Sequence, residues 1–220
     1  MLCHSRKWMW LLLATSLLSP GLHAATNHVL FAESFVPGLD HHWQQVKFFD
    51  GLTDYTAVHD GATNYLHAVA DKSCSAFTTK LSLKPQPHLK LSWRWRITHT
   101  PTNASDHVTA RFDHAARVFI AFSTFIGPPR SLNYIWGNDT PVGTTMSHPL
   151  TSRAQLVVVE SGNARAGEWI SEERDVTADW KKLFDGKSMP KIEAIGVLTD
   201  ADSTGTETAA DYADIRLTAE

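Results

Sequence analysis

Residues 89–97 read Leu-Lys-Leu-Ser-Trp-Arg-Trp-Arg-Ile, a run in which every odd position is apolar and every even one polar. A side-chain period of two belongs to a strand, so Leu89, Leu91, Trp93, Trp95 and Ile97 must share one face and Arg94 and Arg96 the other. As a helix the same residues would carry charge and tryptophan all the way round. The segment therefore demands a sheet with one face covered.

The same short, alternating segments recur along the chain, bounded by Gly, Pro, Asn and Asp. Strands are expected over residues 28–35, 43–48, 55–59, 64–70, 74–83, 88–98, 117–124, 132–136, 155–161, 168–175, 192–199 and 211–217. One helix is expected over residues 177–184, with Thr177 as its cap, Asp179 in its first turn and Gly186 closing it. Residues 138–152 form the longest irregular connection. With no repeat and no linker, the fold class is all-β: an antiparallel β-sandwich of jelly-roll type with one short helix, a single domain over residues 25–220.

The first residues set the compartment. Arg6 and Lys7 precede an apolar run from Trp8 to Leu18, and small residues around Ala24 follow a Ser19-Pro20-Gly21 break. That is the tripartite form of a signal peptide, residues 1–24, cleaved on export to the periplasm. The run is shorter than the ~20 residues a membrane span needs, so the mature chain is expected to carry no transmembrane segment. Cleavage takes two of the 20 basic residues and none of the 23 acidic ones, leaving a net charge of about −5. Such a surface argues against a nucleic-acid partner. Cys3 leaves with the signal peptide, so Cys74 has no disulfide partner and reads as a small buried hydrophobe.

Catalytic templates are missing: there is no Gly-x-Ser-x-Gly elbow, no His-Glu-x-x-His and no phosphate-cradling glycine loop. Histidines at positions 59, 67, 99, 107 and 114 show no zinc spacing and read as surface residues. Trp93 and Trp95 read as core. Arg94 and Arg96, two forks on one strand face, fit either a solvated surface or a carboxylate or phosphate ligand. Arg117, Glu160 and Asp214 are expected to join them, either as a ligand-binding network or as structural ion pairs.

Near the C-terminus, Thr199-Asp200-Ala201-Asp202-Ser203-Thr204-Gly205 lies between two apolar segments. Asp-x-Asp-x-Thr-Gly can gather oxygen ligands round a hard cation, and Asp211 falls where a closing ligand would stand. The loop is thus either a Ca2+ site built from Asp200, Asp202, Thr204 and Asp211 or an ordinary hairpin connection turned by Gly205.

Trp93-Arg94-Trp95-Arg96, residues 113–119 around Asp113-His114-Ala115-Ala116-Arg117, residues 132–138, Val159-Glu160-Ser161-Gly162, residues 169–175 and the 199–205 loop together resemble the exported bacterial family called domain of unknown function 3047. The resemblance runs from Phe35 to Leu217. Asp113-His114 stands where the family usually has paired aspartates, and Asp202-Ser203-Thr204-Gly205 where it usually has Asp-Asn-Thr-Gly. The resemblance implies an exported Gram-negative protein and gives no reaction.

The leading expectation is non-catalytic binding of a glycan or envelope polymer on a polar face of Arg94, Arg96, Arg117, Glu160 and Asp214, with Tyr134 and Trp136 at its rim. The alternatives are a polysaccharide-acting hydrolase or lyase, in which Arg117 orients an acidic sugar and Asp200 or Glu160 serves as acid or base, and a structural partner in an envelope complex. Convergence of Glu160, Asp200 and Asp214 beside Arg117 favours the first two; dispersion favours the third.

Overall fold

The alternation of residues 89–97 is realised as strand β6 (Leu89–Ile97), whose odd residues are fully buried and whose even residues are half-buried on the opposite face. The computed structural model describes residues 28–38, 42–48 and 51–219; the expected signal peptide lies outside the described residues. Among the described residues twelve further strands accompany β6: β1 (His28–Glu33), β2 (Trp43–Lys47), β3 (Asp54–Asp60), β4 (Thr63–Asp71), β5 (Cys74–Leu83), β7 (Arg117–Phe122), β8 (Arg130–Gly137), β9 (Thr145–His148), β10 (Thr151–Ser161), β11 (Ile170–Asp175), β12 (Ile192–Asp200) and β13 (Glu207–Ala219).

They form two sheets. One has the order β11-β6-β13-β4-β3, with β1 pairing the C-terminal half of β13; the other runs β2-β5-β12-β7-β8-β10-β9. Between them the tryptophans of β6 meet the aromatics of β8: Trp93 lies 5.3 Å from Tyr134 and Trp95 5.7 Å from Trp136, centroid to centroid. Pairs at these separations add about 0.5–1.5 kcal/mol each beyond the area they bury. No helix among the described residues is long and apolar enough to cross a membrane.

The expected β-sandwich with one short helix is observed, and three details of it differ. The seven-stranded sheet is mixed, because β10 pairs β8 in parallel. Parallel neighbours cannot be joined by a tight hairpin, and the long 138–150 connection supplies the crossover. That connection is not wholly irregular either, since β9 forms inside it and pairs antiparallel with β10. Helix α1 (Val176–Leu183) sits where expected, but its cap is Asp175, which accepts a hydrogen bond from Ala178 N at 2.8 Å. Thr177 instead accepts from Leu89 N, tying the helix to β6. Trp180 then reaches Phe122 at 4.5 Å and stacks on Phe184, closing one end of the sandwich.

Candidate functional site

Strand parity decides what the seven-stranded sheet shows to the outside. Val118, Ile120 and Phe122 of β7 are in the core, so Arg117, Phe119 and Ala121 turn outward; Ile195 and Val197 of β12 point in, so Gly196, Leu198 and Asp200 point out. The outward faces of these strands enclose a groove of about 630 Å³. Phe119, Ala121, Leu198 and Cys74 make an apolar floor, and Phe112 and His148 stand along one wall with rings 4.6 Å apart. Gly196 is what lets Phe119 lie across the sheet: a Cβ there would fall 2.5 Å from the Phe119 ring.

One end of the groove is charged and dry. Arg117 is 5 % exposed and its Nη2 approaches His114 Nδ1 at 3.0 Å and Asp200 Oδ2 at 3.4 Å, while its Nε has no partner. A guanidinium only donates, so Nδ1 of His114 accepts and Nε2 carries the proton. Nε2 faces Asp106 Oδ1 at 3.2 Å, a contact whose alignment falls short of a good hydrogen bond. Burial first, and the Arg117 charge after it, lower the His114 pKa against the pull of Asp106, which keeps the imidazole neutral.

Two buried aspartates hold the loops that frame this end. Asp106 accepts from Asn138 N, Asn138 Nδ2, Asp139 N and Thr140 N, at 2.8–3.3 Å. Burial would raise its carboxyl, but His114 and these donors more than offset that and hold it below the usual carboxylate range. Asp113 accepts from Ser203 N, Thr204 N and Thr204 Oγ1, at 3.1, 2.7 and 2.7 Å. Asp200 accepts from His114 N at 2.8 Å, and burial, with Asp113 and Asp202 nearby, pushes its carboxyl up to about 7 in spite of Arg117. Burial, followed by the charge of Arg117, lowers His148 to about 4, so its ring is an uncharged wall at neutral pH.

The expected binding residues divide among different places. Arg117 and Asp200 meet in the groove. Arg94 and Arg96 lie on the outer face of the other sheet, paired with Asp214 and Asp211 and packed against the Trp169 ring at 5.0 and 4.8 Å. Glu160 pairs with Arg165 at 2.6 Å, away from Arg117's partners. Tyr134 and Trp136 are not a rim at all: both are fully buried, because they share the face of Leu132 on β8, and they satisfy themselves on Asp179 Oδ2 and Gly162 O. The convergence of Glu160, Asp200 and Asp214 therefore fails for two of the three, the outcome assigned above to a structural partner; the groove beside Arg117 is a separate site, which that criterion did not cover.

The four candidate calcium ligands are not brought together. Asp211 belongs to the six-stranded sheet, held by Arg96 and His67. Thr204 gives its hydroxyl and amide to Asp113, so a protein carboxylate occupies the turn's donors. Asp200 and Asp202 do come within 4.8 Å of each other and of Cys74 Sγ. His114 had been expected at the surface; it is fully buried, and with Asp106, Phe112 and Phe119 it forms the part of the site that spacing did not reveal.

A half-buried carboxylate outside the groove gives a pH prediction. Glu172, on edge strand β11, is raised to about 7 by burial and by the charge of Glu160. An unfolded glutamate titrates near 4.3, so this group stabilises the fold fully below that pH and loses its contribution as pH rises through 7. Glu172→Gln, which has no proton to lose, should gain stability relative to the parent chain as pH goes from 4 to 8. Urea midpoints taken across that range check it, and a constant gap between the two proteins would refute the shift.

A family model described as "Protein of unknown function (DUF3047)" matches residues 41–216. No curated protein matches the chain. Among solved structures, the chain is similar to a family 11 carbohydrate-binding module from Clostridium thermocellum in complex with a β-1,3-1,4-mixed-linked tetrasaccharide, at 11 % identity and a TM-score of 0.47, covering 88 % of this chain and 96 % of that one. It is similar also to the xyloglucanase domain of NopAA from Sinorhizobium fredii, at 10 % identity and TM-score 0.48, with 81 % and 93 % covered. A third is the CBM22-1 xylan-binding domain of Paenibacillus barcinonensis Xyn10C, at 10 % and 0.44, with 88 % and 96 % covered. At these values the likeness is one of β-sandwich architecture alone.

Proposed function

The chain belongs to the DUF3047 family, whose description carries no activity, and from the chemistry of the groove we propose that it is a periplasmic, non-catalytic glycan-binding protein. The observation that carries this reading is the orphaned Nε of buried Arg117 at the end of an apolar-floored groove. A buried donor without a partner costs about 1–3 kcal/mol, and a ligand oxygen recovers it. Sugars suit the remainder of the groove, because a pyranose offers a C–H face to an aromatic floor such as Phe119 and hydroxyls at its edge.

The charge balance narrows the ligand. Asp106, Asp113, Asp200 and Asp202 crowd round the one guanidinium, so a carboxylate-bearing sugar would meet more negative than positive charge. A neutral glycan, donating hydroxyls to Asp200 and accepting from Arg117, fits better. This moves binding from the expected polar face, whose Arg94, Arg96 and Asp214 lie on the six-stranded sheet, to the groove of the seven-stranded one, and away from Glu160, which is held by Arg165.

Titration calorimetry with neutral and uronic-acid oligosaccharides tests the assignment. Neutral chains should bind, and Phe119→Ala should weaken them at least about tenfold, a loss of about 1.4 kcal/mol, in a variant that still melts cooperatively. The reading fails if no saccharide binds or if Phe119→Ala binds as well as the parent.

A second reading, a polysaccharide-acting hydrolase, draws support from Asp200, whose raised pKa of about 7 suits a general acid. Against it, each Asp200 oxygen already faces a donor, His114 N or Arg117 Nη2, an arrangement suited to a carboxylate that accepts a further hydroxyl and not to a protonated acid that must donate. Release of reducing ends in the same mixtures, lost in Asp200→Asn, would turn the assignment to catalysis.

A further inference from the structure

At the end of the sandwich closed by α1, the β7–β8 connection lifts two large apolar side chains clear of the protein. Phe125 is 101 % and Ile126 77 % exposed. The tip that carries them is nevertheless built: Thr124 Oγ1 donates to Gly127 O and Pro128 O, Arg153 Nη1 donates to Pro128 O at 2.9 Å, and Gly127 takes a positive φ against the Arg153 guanidinium. The turn thus fixes both side chains outward, where they gain nothing from the fold.

Behind the tip lies a hollow of about 610 Å³ lined by Phe125, Ile126, Arg130, Arg153 and Pro190. It is apolar at its outer lip and cationic at its base. Further cations gather at this end. Ser123 N bonds Lys191 O, Trp180 Nε1 bonds Lys187 O, and the Arg130 guanidinium lies 5.5 Å from the Phe184 ring, just past Lys181 and Lys182 in the last turn of α1. The acids among them are Asp179, taken up by Arg174, Asp185, paired with Lys187 at 3.9 Å, and Glu193. Six basic residues against three acidic ones stand out on a chain whose formal charge is −3.

We infer that residues 123–130 form a membrane-docking tip, in which Phe125 and Ile126 enter the interfacial layer of a bilayer while Arg130 and Arg153 take the phosphates of anionic lipids. An apolar point ringed by basic residues matches the order of acyl chain and headgroup met on approaching such a surface. Two side chains bury little area, so attachment is reversible. Pro129 belongs to this loop and also lines the groove, so docking sets the groove's mouth beside the lipid surface. The inference stands apart from the glycan reading and requires no occupant in the groove.

Co-sedimentation with vesicles supplies the test. The protein should pellet with vesicles of equal parts phosphatidylcholine and phosphatidylglycerol, less so as salt rises, and much less with phosphatidylcholine alone. Phe125→Ser/Ile126→Ser, both at fully open positions, should lower the bound fraction about tenfold with an unchanged melting curve, whereas Val142→Ser, an exposed apolar change elsewhere, should bind as the parent does. Equal binding by the double variant, or equal binding to both vesicle types, overturns the inference. So does a parent chain that ignores vesicles and self-associates in light scattering until Phe125 and Ile126 are replaced, since the tip would then join two copies of the chain.

Discussion

Asp106→Ala is expected to destabilise the fold by something on the order of 3–5 kcal/mol, more than any other single change at the groove. The side chain is essentially unexposed and four N–H donors, from Asn138, Asp139 and Thr140, end on it. Removing it leaves those donors, buried at Thr140 and part-buried at Asn138 and Asp139, without their acceptor and takes away the carboxylate opposite His114 Nε2. Asparagine is no rescue, since its NH2 would face the same donors. The pH dependence has a definite sign. Because the folded carboxyl titrates below its ordinary value, its contribution is present above about pH 4 and is lost as pH falls through the folded pKa. The parent should therefore lose its advantage over Asp106→Ala in acid and keep it at neutral pH. Urea unfolding followed by tryptophan fluorescence measures this, with Glu168→Ala, a change at an exposed ion pair, as a control worth less than about 1 kcal/mol. Midpoints alike for the two variants would mean that Asp106 holds nothing together.

What the sequence made legible follows strand parity. In β6 the alternation is unbroken, so the buried tryptophans and outward arginines could be assigned from residues 89–97 alone. In β8 the same rule was available, since Leu132, Tyr134 and Trp136 share a parity that Asn133 does not, but aromatic residues near a suspected polar face invited a functional reading. Which faces meet is another matter. Arg94 and Arg117 both point away from the core, yet on different sheets, and nothing in either strand says which sheet it joins. Parity also cannot reach irregular segments. Asp106, Asp113 and His114 sit around a short 3-10 turn, Thr109–Arg111, and their hydrogen-bond partners beyond this segment lie from 25 to 91 positions along the chain, or three in the case of Arg117. Asp113 shows the consequence. The acidic loop read either as a cation site or as a hairpin connection, because a local pattern of Asp, Ser, Thr and Gly does not reveal that a distant carboxylate receives its amides.

Arg117→Ala and Arg94→Ala should differ sharply, although both remove an outward-pointing arginine paired with an aspartate. Arg94 is a third exposed and Asp214 about half; water already screens that pair, and its loss should cost under about 1 kcal/mol, shrinking further in salt. Arg117 and Asp200 are each 6 % exposed at the side chain, and removing the guanidinium strands a carboxylate in a dry site, at a cost of roughly 2–5 kcal/mol. Protonation offers Asp200 an escape. Its carboxyl already titrates at about 7 beside Arg117, and without that cation it holds its proton to still higher pH. Relative to an unfolded aspartate near 3.9, a raised folded pKa contributes stability that is lost as pH rises, so the penalty of Arg117→Ala should be small near pH 5 and approach its full size above pH 7. Arg94→Ala should show no such slope. The same substitution removes the unpartnered Nε, so glycan affinity should fall at pH 5 too, where stability is nearly intact. Thermal melts and calorimetry at pH 5 and 8 separate the two roles: a flat pH profile for Arg117→Ala would detach Arg117 from Asp200, and unchanged glycan affinity at pH 5 would remove it from the binding site.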